Sequence, residues 1–213
     1  MQKNRFFIYI LIIFISCLSL FFFKYLKNSQ SIKKDYSKAK NLFLKGERVK
    51  TKSLFETIYK LNPGFEKTRF YLGKLHFYDK NFSRSFELFL EHWKDKKEFY
   101  ALEWVIISGV YAKRNAVEIH AYIQIYLNHH PNNPEILYWK GFLEEKSGNL
   151  EDAIFSYKKS LEFSNQLIRP AQKLKNIYSK AGLSEKSREY QKIENFLNSI
   201  EFFDIRKTNK ENL

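Results

Sequence analysis

The sequence is poor in cysteine, glycine and proline, and each shortage excludes a class of structure. Among 213 residues there is one cysteine, Cys17, so the chain can form no internal disulfide and no cysteine-based zinc cluster. Seven glycines and four prolines are too few for a collagen-like chain or a β-fold with many turns. Because 44% of the residues are apolar and 18% are aromatic, a disordered chain is excluded as well. We therefore expect a folded protein made mainly of helices.

One long run without charge predicts a membrane segment. Residues 6–23, FFIYILIIFISCLSLFFF, contain no charged side chain over 18 positions. As a helix this run would span about 27 Å, close to the hydrocarbon thickness of a bilayer. A cleaved signal peptide usually has a shorter apolar run with small residues at its end, whereas this run ends in three Phe and Lys24. We predict a basic stub over 1–5, a transmembrane signal anchor over 6–23 and a juxtamembrane linker over 24–31.

The sequence leaves two properties of this segment open. Residues 14–17, FISC, resemble a relaxed bacterial lipobox, in which Cys17 would carry a lipid after cleavage, although 18–23 continue the apolar run where lipoproteins have a polar tether. The six lysines within 24–40, against the single Asp35, favour a cytoplasmic C-terminal domain. Long domains nevertheless cross membranes largely regardless of flanking charge. Lipidation or cleavage at the anchor, and the side of the membrane, therefore stay open, as does the oligomeric state.

Acidic residues are scarce in the first third of the chain, and this explains most of its charge. The net charge is +14, from 37 Lys and Arg against 23 Asp and Glu. Residues 24–65 alone contain eleven Lys or Arg and three acids, for a net +8. Such basicity favours nucleic acid or anionic lipid headgroups as partners. Since it peaks beside the apolar run, we expect the basic residues of 24–60 to lie near headgroups, with nucleic acid the weaker alternative.

Comparison of the sequence with itself reveals a period of 34 residues. Gly73 and Gly141 are two periods apart, and Ala39 lies one period before Gly73. Pro63 and Pro131 are also two periods apart, at points where a helix has to stop. Seven residues after small positions of this register stand glycines suited to a turn between helices: Gly46, Gly148 and Gly182. A period of this length predicts stacked pairs of amphipathic helices, each of which needs a neighbour to bury its apolar face.

These residues resemble the tetratricopeptide repeat, a helix-turn-helix unit of 34 residues. The third and fifth units match mainly through the register, because Ile107, Ile119 and Lys175 replace small residues. The fourth unit is the best match, through Leu137, Gly141, Gly148, Ala153, Ile154, Tyr157 and Leu161. The resemblance implies an all-α fold, a right-handed α-solenoid of about five units after the N-terminal transmembrane helix. The predicted units are 32–65, 66–99, 100–133, 134–167 and 168–201, with a C-terminal cap and tail over 202–213.

The resemblance also implies a function in protein interaction. In this family the first helices of the pairs line a concave surface that binds extended or helical segments of partner proteins. We therefore expect a membrane-anchored scaffold that helps to assemble a membrane or envelope complex, by analogy at the level of the fold. The excess of Lys, Asn, Ile and Phe is typical of an AT-rich genome. Together these features predict a single-pass protein of a bacterial inner membrane whose partner the sequence does not identify.

The first helices of the five units predict an aromatic groove with a basic rim. Aromatic anchors and cationic groups favour a peptide ligand with apolar anchors and acidic flanks. The carboxylate clamp of some family members is not expected, because Tyr36 and Lys40 occupy the places where it needs Lys and Asn. The predicted groove residues are Tyr36, Lys40, Phe43, Lys67, Phe70, Lys74, Phe77, Tyr78, Trp104, Ser108, Tyr111, Tyr138, Phe142, Arg169, Gln172 and Asn176.

No catalytic or metal-binding pattern occurs in the sequence. A Gly-rich phosphate loop, an HExxH motif and a GxSxG motif are all absent. The adjacent His129 and His130, just before Pro131, are interpreted as loop residues instead of metal ligands. We predict no enzymatic activity, no metal and no cofactor. The alternatives to a membrane-anchored scaffold are a lipoprotein with the same repeats, tethered through Cys17, and a basic nucleic-acid-binding repeat protein.

Overall fold

The computed structural model describes residues 29–164 and 168–210, with side chains described up to Asn198. Every regular element in these ranges is an α-helix, which confirms the all-α prediction. The helices are α1 at 29–44, α2 at Arg48–Leu61, α3 at Thr68–Tyr78, α4 at Phe82–Lys96, α5 at Phe99–Tyr111, α6 at Ala116–His129, α7 at Pro134–Lys146, α8 at Leu150–Phe163, α9 at Ile168–Lys180 and α10 at Ser184–Lys210.

At the N-terminal end the structure does not describe the predicted membrane segment, whereas at the C-terminal end it describes a helix longer than predicted. The predicted membrane segment 6–23, with Cys17 in it, lies outside the described residues. Among the helices that are described, none has the combination of length and apolar sequence needed to cross a bilayer. At the other end α10 continues to Lys210, beyond the point near 201 where the repeat register expects the last helix to end. Residues 184–210 contain neither Gly nor Pro, so no helix-breaking residue stops it earlier.

The chain divides into two compact units, one up to Asp79 and one from Lys80 onward. In the first unit α2 packs on α3, and the rings of α1 contact those of α2 and α3. Phe55 and Ile58 of α2 are fully buried, as is Ala39 of α1. Amphipathic helices of this kind gain most of their stability from burying one apolar face against a neighbour.

In the second unit neighbouring helices pack in the order of the chain. Helix α5 contacts both α4 and α6, α7 packs on α8, and α9 packs on α10. The contact between α5 and α7 joins the first helices of two successive pairs. Helix α5 is apolar around most of its circumference and buries Leu102 and Ile106 completely. Successive first helices therefore lie side by side, which brings residues from different repeats into one surface.

The turns between paired helices recur with the predicted spacing. Residues with a positive φ occur at Gly46, Gly148 and Gly182, with φ of 77°, 84° and 73°. Between them, Lys80 and Lys113 also adopt the left-handed conformation, with φ of 59° and 54°. The spacing of these five residues is 34 residues to within one position. The same turn is thus built with glycine in three repeats and with lysine in two.

Two glycines allow helices to approach closely within the second unit. A Cβ atom on Gly141 of α7 would lie 2.8 Å from the Tyr157 ring of α8, too close for an unchanged packing. A Cβ on Gly109 of α5 would collide with the side chain of Ile119 on α6. The bulk of Ile119, which the repeat pattern expects to be small, is therefore accommodated by a glycine on the facing helix.

Asparagine side chains begin three helices of the second unit. Asn81 accepts a hydrogen bond from the backbone N–H of Arg84, and Asn115 accepts one from Val117. Asn133 does the same for Ile136 and precedes a proline in the first turn of α7. These caps satisfy N–H groups that have no partner inside the helix and fix where each helix starts.

Candidate partner-binding site

The predicted groove residues fall into both compact units, so each unit is described by itself. In the first unit, Tyr36, Lys40 and Phe43 lie on α1, Lys67 immediately precedes α3, and Phe70, Lys74, Phe77 and Tyr78 lie on α3. In the second, Trp104, Ser108 and Tyr111 lie on α5, Tyr138 and Phe142 on α7, and Arg169, Gln172 and Asn176 on α9.

Most of the first unit's predicted aromatic residues pack against other rings. Tyr36 meets Phe55 edge-to-face at 5.8 Å between ring centroids, and Phe43 meets Tyr71 at 5.0 Å. The Tyr36 hydroxyl accepts a hydrogen bond from the Lys67 backbone N–H at 3.3 Å. Burial raises the pKa of Tyr36, which fits a side chain held between helices. These rings contribute to the core that joins α1, α2 and α3.

The second unit contains an open cavity of about 650 Å³ lined by α5, α7 and α9 and by the residues that follow α5. Four predicted groove residues line it, and sequence reasoning missed the other six. We call this cavity the aromatic pocket; its lining residues are Val110, Tyr111, Lys113, Arg114, Tyr138, Trp139, Phe142, Leu143, Lys146 and Arg169.

The rings of the aromatic pocket support one another. Trp139 meets Tyr111 at 5.5 Å, Tyr138 at 5.1 Å and Phe142 at 5.7 Å, each with an edge-to-face geometry. Only 5% of Trp139 and 6% of Tyr138 are exposed, whereas 46% of Tyr111 is exposed. Edge-to-face pairs of this kind hold rings in fixed orientations. The pocket therefore has a rigid aromatic floor with one accessible ring at its edge.

Arg169 lies over this floor and is held there by a carboxylate. Its guanidinium carbon is 4.5 Å from the Tyr138 ring centroid and 5.5 Å from that of Trp139. Nη2 donates to both oxygens of Glu135 at 2.7 and 2.5 Å, and the Trp139 indole N–H donates to the same carboxylate at 2.8 Å. Burial raises the pKa of the Tyr138 hydroxyl, and the nearby positive charge of Arg169 opposes that shift. Glu135 thus orients a cation and an aromatic ring at once.

Two lysines lie over the Phe142 ring from different helices. Lys173 of α9 is 5.0 Å from the ring centroid and Lys146 of α7 is 5.7 Å from it. Lys173 also pairs with Glu145 at 3.0 Å. Within the described residues, neither Lys113 nor Lys146 forms an ion pair, although the charge of Lys146 contributes to the lowered pKa of Glu145. Among the described residues, no acidic side chain lines the pocket, so its lining is positively charged.

Buried polar contacts fix α7, which carries most of the pocket. The Tyr157 hydroxyl of α8 donates to Glu145 at 2.7 Å. Burial raises the pKa of Glu145, but the Tyr157 hydroxyl and Lys173 outweigh this, and the net pKa is lowered. Nearby, the buried Glu144 accepts hydrogen bonds from Lys140 at 2.6 Å and Ser156 at 2.7 Å. These contacts join α7 to α8 and α9, so the pocket is set on a rigid frame.

Several predicted groove residues of the second unit lie outside the aromatic pocket. Trp104 stacks on Phe89 at 5.3 Å. Ser108 is fully buried and donates to the Trp104 carbonyl at 2.6 Å. Gln172 donates to Glu194 of α10 at 3.1 Å. Asn176 lies beside a separate cavity of about 220 Å³. The structure therefore brings together Tyr111, Tyr138, Phe142 and Arg169 from the predicted set.

A helical pattern in the sequence could have identified part of what was missed. Trp139, Phe142 and Lys146 are spaced three and four residues apart, so they lie on one face of α7. Glu135 and Arg169 are one repeat of 34 residues apart, the offset at which equivalent first helices meet. Lys113 and Arg114 carry no such signal, because they belong to the turn after α5.

Histidines and acids do not form a metal site in the part of the chain that is described. No group of three or more His, Cys, Asp or Glu side chains is close enough there to hold an ion. His129 is the last residue of α6, and its ring Nδ1 lies 3.1 Å from the Ile125 carbonyl oxygen. The pair was expected in the loop, and only His130 lies beyond the helix. Both rings lie against Phe99, at 4.6 and 5.0 Å, in a packing contact.

Comparisons with known proteins identify the fold. No protein-family profile matches the sequence, and no curated protein matches it. A crystal structure of MamA is 16% identical, with a TM-score of 0.67, over 76% of this chain and 95% of that one. MamA 41-end from Desulfovibrio magneticus is 12% identical, with a TM-score of 0.70, over 79% and 95%.

A tetratricopeptide repeat protein from Parabacteroides merdae is 17% identical, with a TM-score of 0.64, over 80% of this chain and 66% of its own. At identities this low, the likeness concerns the fold, and it agrees with the repeated helix pairs and turns described above. The chain has the all-α fold of tetratricopeptide repeat proteins, as the 34-residue register predicted.

Proposed function

We propose that this chain is a protein-interaction scaffold and that the aromatic pocket binds a segment of a partner polypeptide. The observation that carries the proposal is the convergence of four aromatic rings and four cations on one open cavity of the second unit. A volume of about 650 Å³ lies within the range of ligand pockets and suits one or two large side chains. The fold is compatible with this role, because helical repeats present extended surfaces to partners.

The residues of the pocket define the chemistry of its ligand. Tyr111, Trp139 and Phe142 offer apolar surface for an aromatic or long aliphatic side chain. No acidic residue is among the described residues that line the cavity, whereas Lys113 and Lys146 line it and form no ion pair with a described carboxylate. The partner segment should therefore combine an apolar anchor with flanking carboxylates. This ligand needs binding only, and the proposed role includes no catalysis.

Site-specific crosslinking in cells tests whether the pocket touches a partner. A photo-reactive phenylalanine analogue is placed at Tyr111 in the full chain, and a second variant carries it at Phe155 on α8. The two positions are matched, since both are aromatic and 46% and 58% exposed, but only Tyr111 lines the pocket. We expect a crosslinked partner at position 111 and none at 155. Equal crosslinking at both positions, or none at either, would contradict the proposal.

Affinity for a defined peptide tests the chemistry. Peptides selected from a random library on the full protein in detergent should contain an aromatic or aliphatic anchor next to Asp or Glu. The double variant Tyr111→Ala, Lys146→Gln should bind such a peptide roughly tenfold more weakly, because it loses both anchor surface and charge. The matched variant Phe155→Ala, Lys158→Gln, which makes the same changes on α8, should bind it unchanged. Selection of purely basic peptides would refute the expected acidic flanks.

We also propose that residues 6–23 attach the protein to a bilayer. Support comes from the sequence alone, through 18 consecutive uncharged, mostly apolar positions. The protein should remain in the membrane pellet after alkaline carbonate extraction and should move to the supernatant when 6–23 is deleted.

Labelling with a radioactive fatty acid separates the alternatives: incorporation that disappears in Cys17→Ser identifies a lipoprotein, and no incorporation identifies a signal anchor. Protease access in intact spheroplasts then identifies the side of the membrane.

A further inference from the structure

The outward half of α1 is a continuous basic surface. Five lysines of this helix and the following turn are exposed, and at 3.6 residues per turn they fall within an arc of roughly 160°. The one acid of α1, Asp35, lies outside that arc and is partly buried. Leu44 lies inside the arc and is 75% exposed. We call this surface the basic face; its lysines are Lys33, Lys34, Lys38, Lys40 and Lys45.

The charges of the basic face are largely uncompensated within the part of the chain that the structure describes; the exception is Lys45, whose charge contributes to the lowered pKa of Glu47. None of its five lysines forms an ion pair with a described carboxylate. Other lysines of the same unit do so: Lys50 pairs with Glu47 at 2.7 Å and Lys52 with Asp79 at 2.5 Å. Uncompensated like charges on one helix repel each other. An external anionic partner would relieve this repulsion.

The orientation of α1 inside its unit makes this surface available. The opposite side of the helix carries Ala39, which is fully buried, and Tyr36 and Phe43, which contact rings of α2 and α3. Rotation of α1 would break these contacts. The basic face therefore points away from the unit's core, and its helix, 16 residues long, presents a strip of about 24 Å.

The position of α1 in the chain points to the nature of the anionic partner. Only five residues, 24–28, separate the uncharged run 6–23 from the first described residue of α1. The six Cα–Cα steps from residue 23 to residue 29 span at most about 22 Å when fully extended. If 6–23 enters a bilayer, the start of α1 cannot be further than this from the headgroups. The intervening residues include Lys24 and Lys27 and no acid, which continues the positive charge toward the apolar run.

We propose that the basic face of α1 lies flat on an anionic lipid surface, with the helix axis parallel to the bilayer and Leu44 inserted among the headgroups. The inference rests on the proposed membrane attachment and is independent of the aromatic pocket. Lysines within a Debye length of anionic lipids are attracted to them, and an exposed apolar side chain in their midst adds a short-range contact. A nucleic acid would offer charge but no apolar contact for Leu44 and no reason for proximity to 6–23.

A local probe on the full chain tests the proposal without relying on overall binding. Cys17→Ser removes the native thiol, and Ser37→Cys, at the centre of the basic face, carries an environment-sensitive fluorophore. The protein is reconstituted into vesicles of phosphatidylcholine alone or of equal parts phosphatidylcholine and phosphatidylglycerol. Quenching by acrylamide, a neutral quencher, should fall by about half or more in the anionic vesicles and recover in molar salt. A probe at Thr57→Cys, exposed on α2, should be quenched equally in both.

Charge-matched variants separate the basic face from general positive charge. Replacing its five lysines by Gln should abolish the lipid-dependent protection at position 37. The control removes five positive charges from exposed positions of the second unit and should leave the protection intact; its changes are Lys94→Gln, Lys158→Gln, Lys180→Gln, Arg188→Gln and Lys192→Gln.

The outcomes distinguish this inference from the attachment on which it rests. If the protein with its native Cys17 fails to float with either type of vesicle, both the attachment and the docking of α1 are overturned. If it floats with both but position 37 is quenched equally in each, the attachment stands and the docking is overturned. Protection by duplex DNA in place of anionic vesicles would likewise overturn it and identify a nucleic-acid surface.

Discussion

The basic face of α1 and the aromatic pocket of the second unit both depend on cations, but the surroundings of those cations differ. On α1 the lysines are exposed and form no ion pair with a described carboxylate. In the pocket, Arg169 lies over two rings and donates to Glu135, and Lys173 lies over Phe142 and pairs with Glu145. One surface presents charge to solvent, and the other uses charge to organise aromatic rings.

This difference predicts different kinds of recognition. Exposed lysines act through a field that salt screens over about 10 Å, and any cation at the same place would serve. A guanidinium stacked on rings and bound to a carboxylate acts through geometry, and its replacement by another cation is not neutral. Net charge alone therefore does not distinguish the two surfaces, whereas substitutions that preserve charge do. The following predictions are ordered from the largest expected effect to the smallest.

Removal of the pocket's floor should have the largest effect. Trp139 is 5% exposed, contacts three other rings and donates to Glu135. Trp139→Ala should lower the free energy of unfolding by about 3–5 kcal/mol, as measured by urea unfolding in detergent, and should abolish peptide binding. The exposed Phe155→Ala should change stability by no more than about 0.5 kcal/mol. A Trp139→Ala variant as stable as the parent would show that the ring is not a structural element of the pocket.

A charge-preserving substitution separates the two surfaces directly. Arg169→Lys keeps the charge but loses the planar group that covers Tyr138 and Trp139, so peptide affinity should fall about fivefold to tenfold, measured by fluorescence titration. The reverse exchange on α1, Lys34→Arg with Lys38→Arg, should leave the lipid-dependent protection at position 37 unchanged. If Arg169→Lys binds peptide normally, the pocket uses charge as α1 does, and the contrast between them fails.

The half-buried carboxyl of Glu103 on α5 should make stability depend on pH in a defined direction. Burial raises the pKa of Glu103, the Glu135 carboxylate raises it further, and Tyr126 and His130 oppose the shift. A carboxyl whose pKa is raised on folding stabilises the fold below its unfolded pKa of about 4.3, and this contribution is lost as the pH rises through the folded value. Glu103→Gln should therefore raise Tm at about pH 7 and leave it unchanged near pH 3.5.

The exposed Glu151→Gln serves as the control for this measurement and should alter Tm little at either pH. A Glu103→Gln variant with an unchanged or lower Tm at neutral pH would show that the Glu103 carboxylate is stabilised by its neighbours. Such a result would mean that the charged carboxylate of Glu103 is as well solvated as the exposed lysines of α1, in spite of its partial burial.

The fold was predictable because its determinants repeat. Gly46, Gly148 and Gly182 recur with the period, and all three adopt the left-handed turn that the register requires. The period carries information that single residues lack, since equivalent turns hold Lys80 and Lys113. A helix pair whose residues depart from the family pattern is still located by the register. In the third unit the bulky Ile119 occupies a position where a small residue is expected, and Gly109 on the facing helix leaves room for it.

The site was only partly predictable, because the register places a residue on a helix without giving its depth. Ser108 is on the predicted helix but is fully buried, since α5 is apolar nearly all round and its sequence has no polar side to indicate orientation. Trp139 shares a helix face with Phe142, but the sequence does not show that this face and Tyr138 belong to one pocket; Arg169 of α9, which lies over both rings, shows it. Contacts between repeats thus decide which predicted residues form the pocket.

The smallest effect is expected at Lys80, a lysine in a turn between helices that belongs to neither surface. Lys80 has a φ of 59°, a conformation that costs a non-glycine residue about 1–2 kcal/mol. Lys80→Gly should relieve this strain and, after the greater freedom of glycine in the unfolded chain is subtracted, raise the free energy of unfolding by about 0.5 kcal/mol. Gly148→Ala, the converse change, should lower it by about 1 kcal/mol, because alanine is strained at a φ of 84°. Neither variant should alter lipid protection or peptide binding. A loss of either function in Lys80→Gly would show that this charge also serves recognition, whereas a gain in stability alone would show that backbone conformation is its only role.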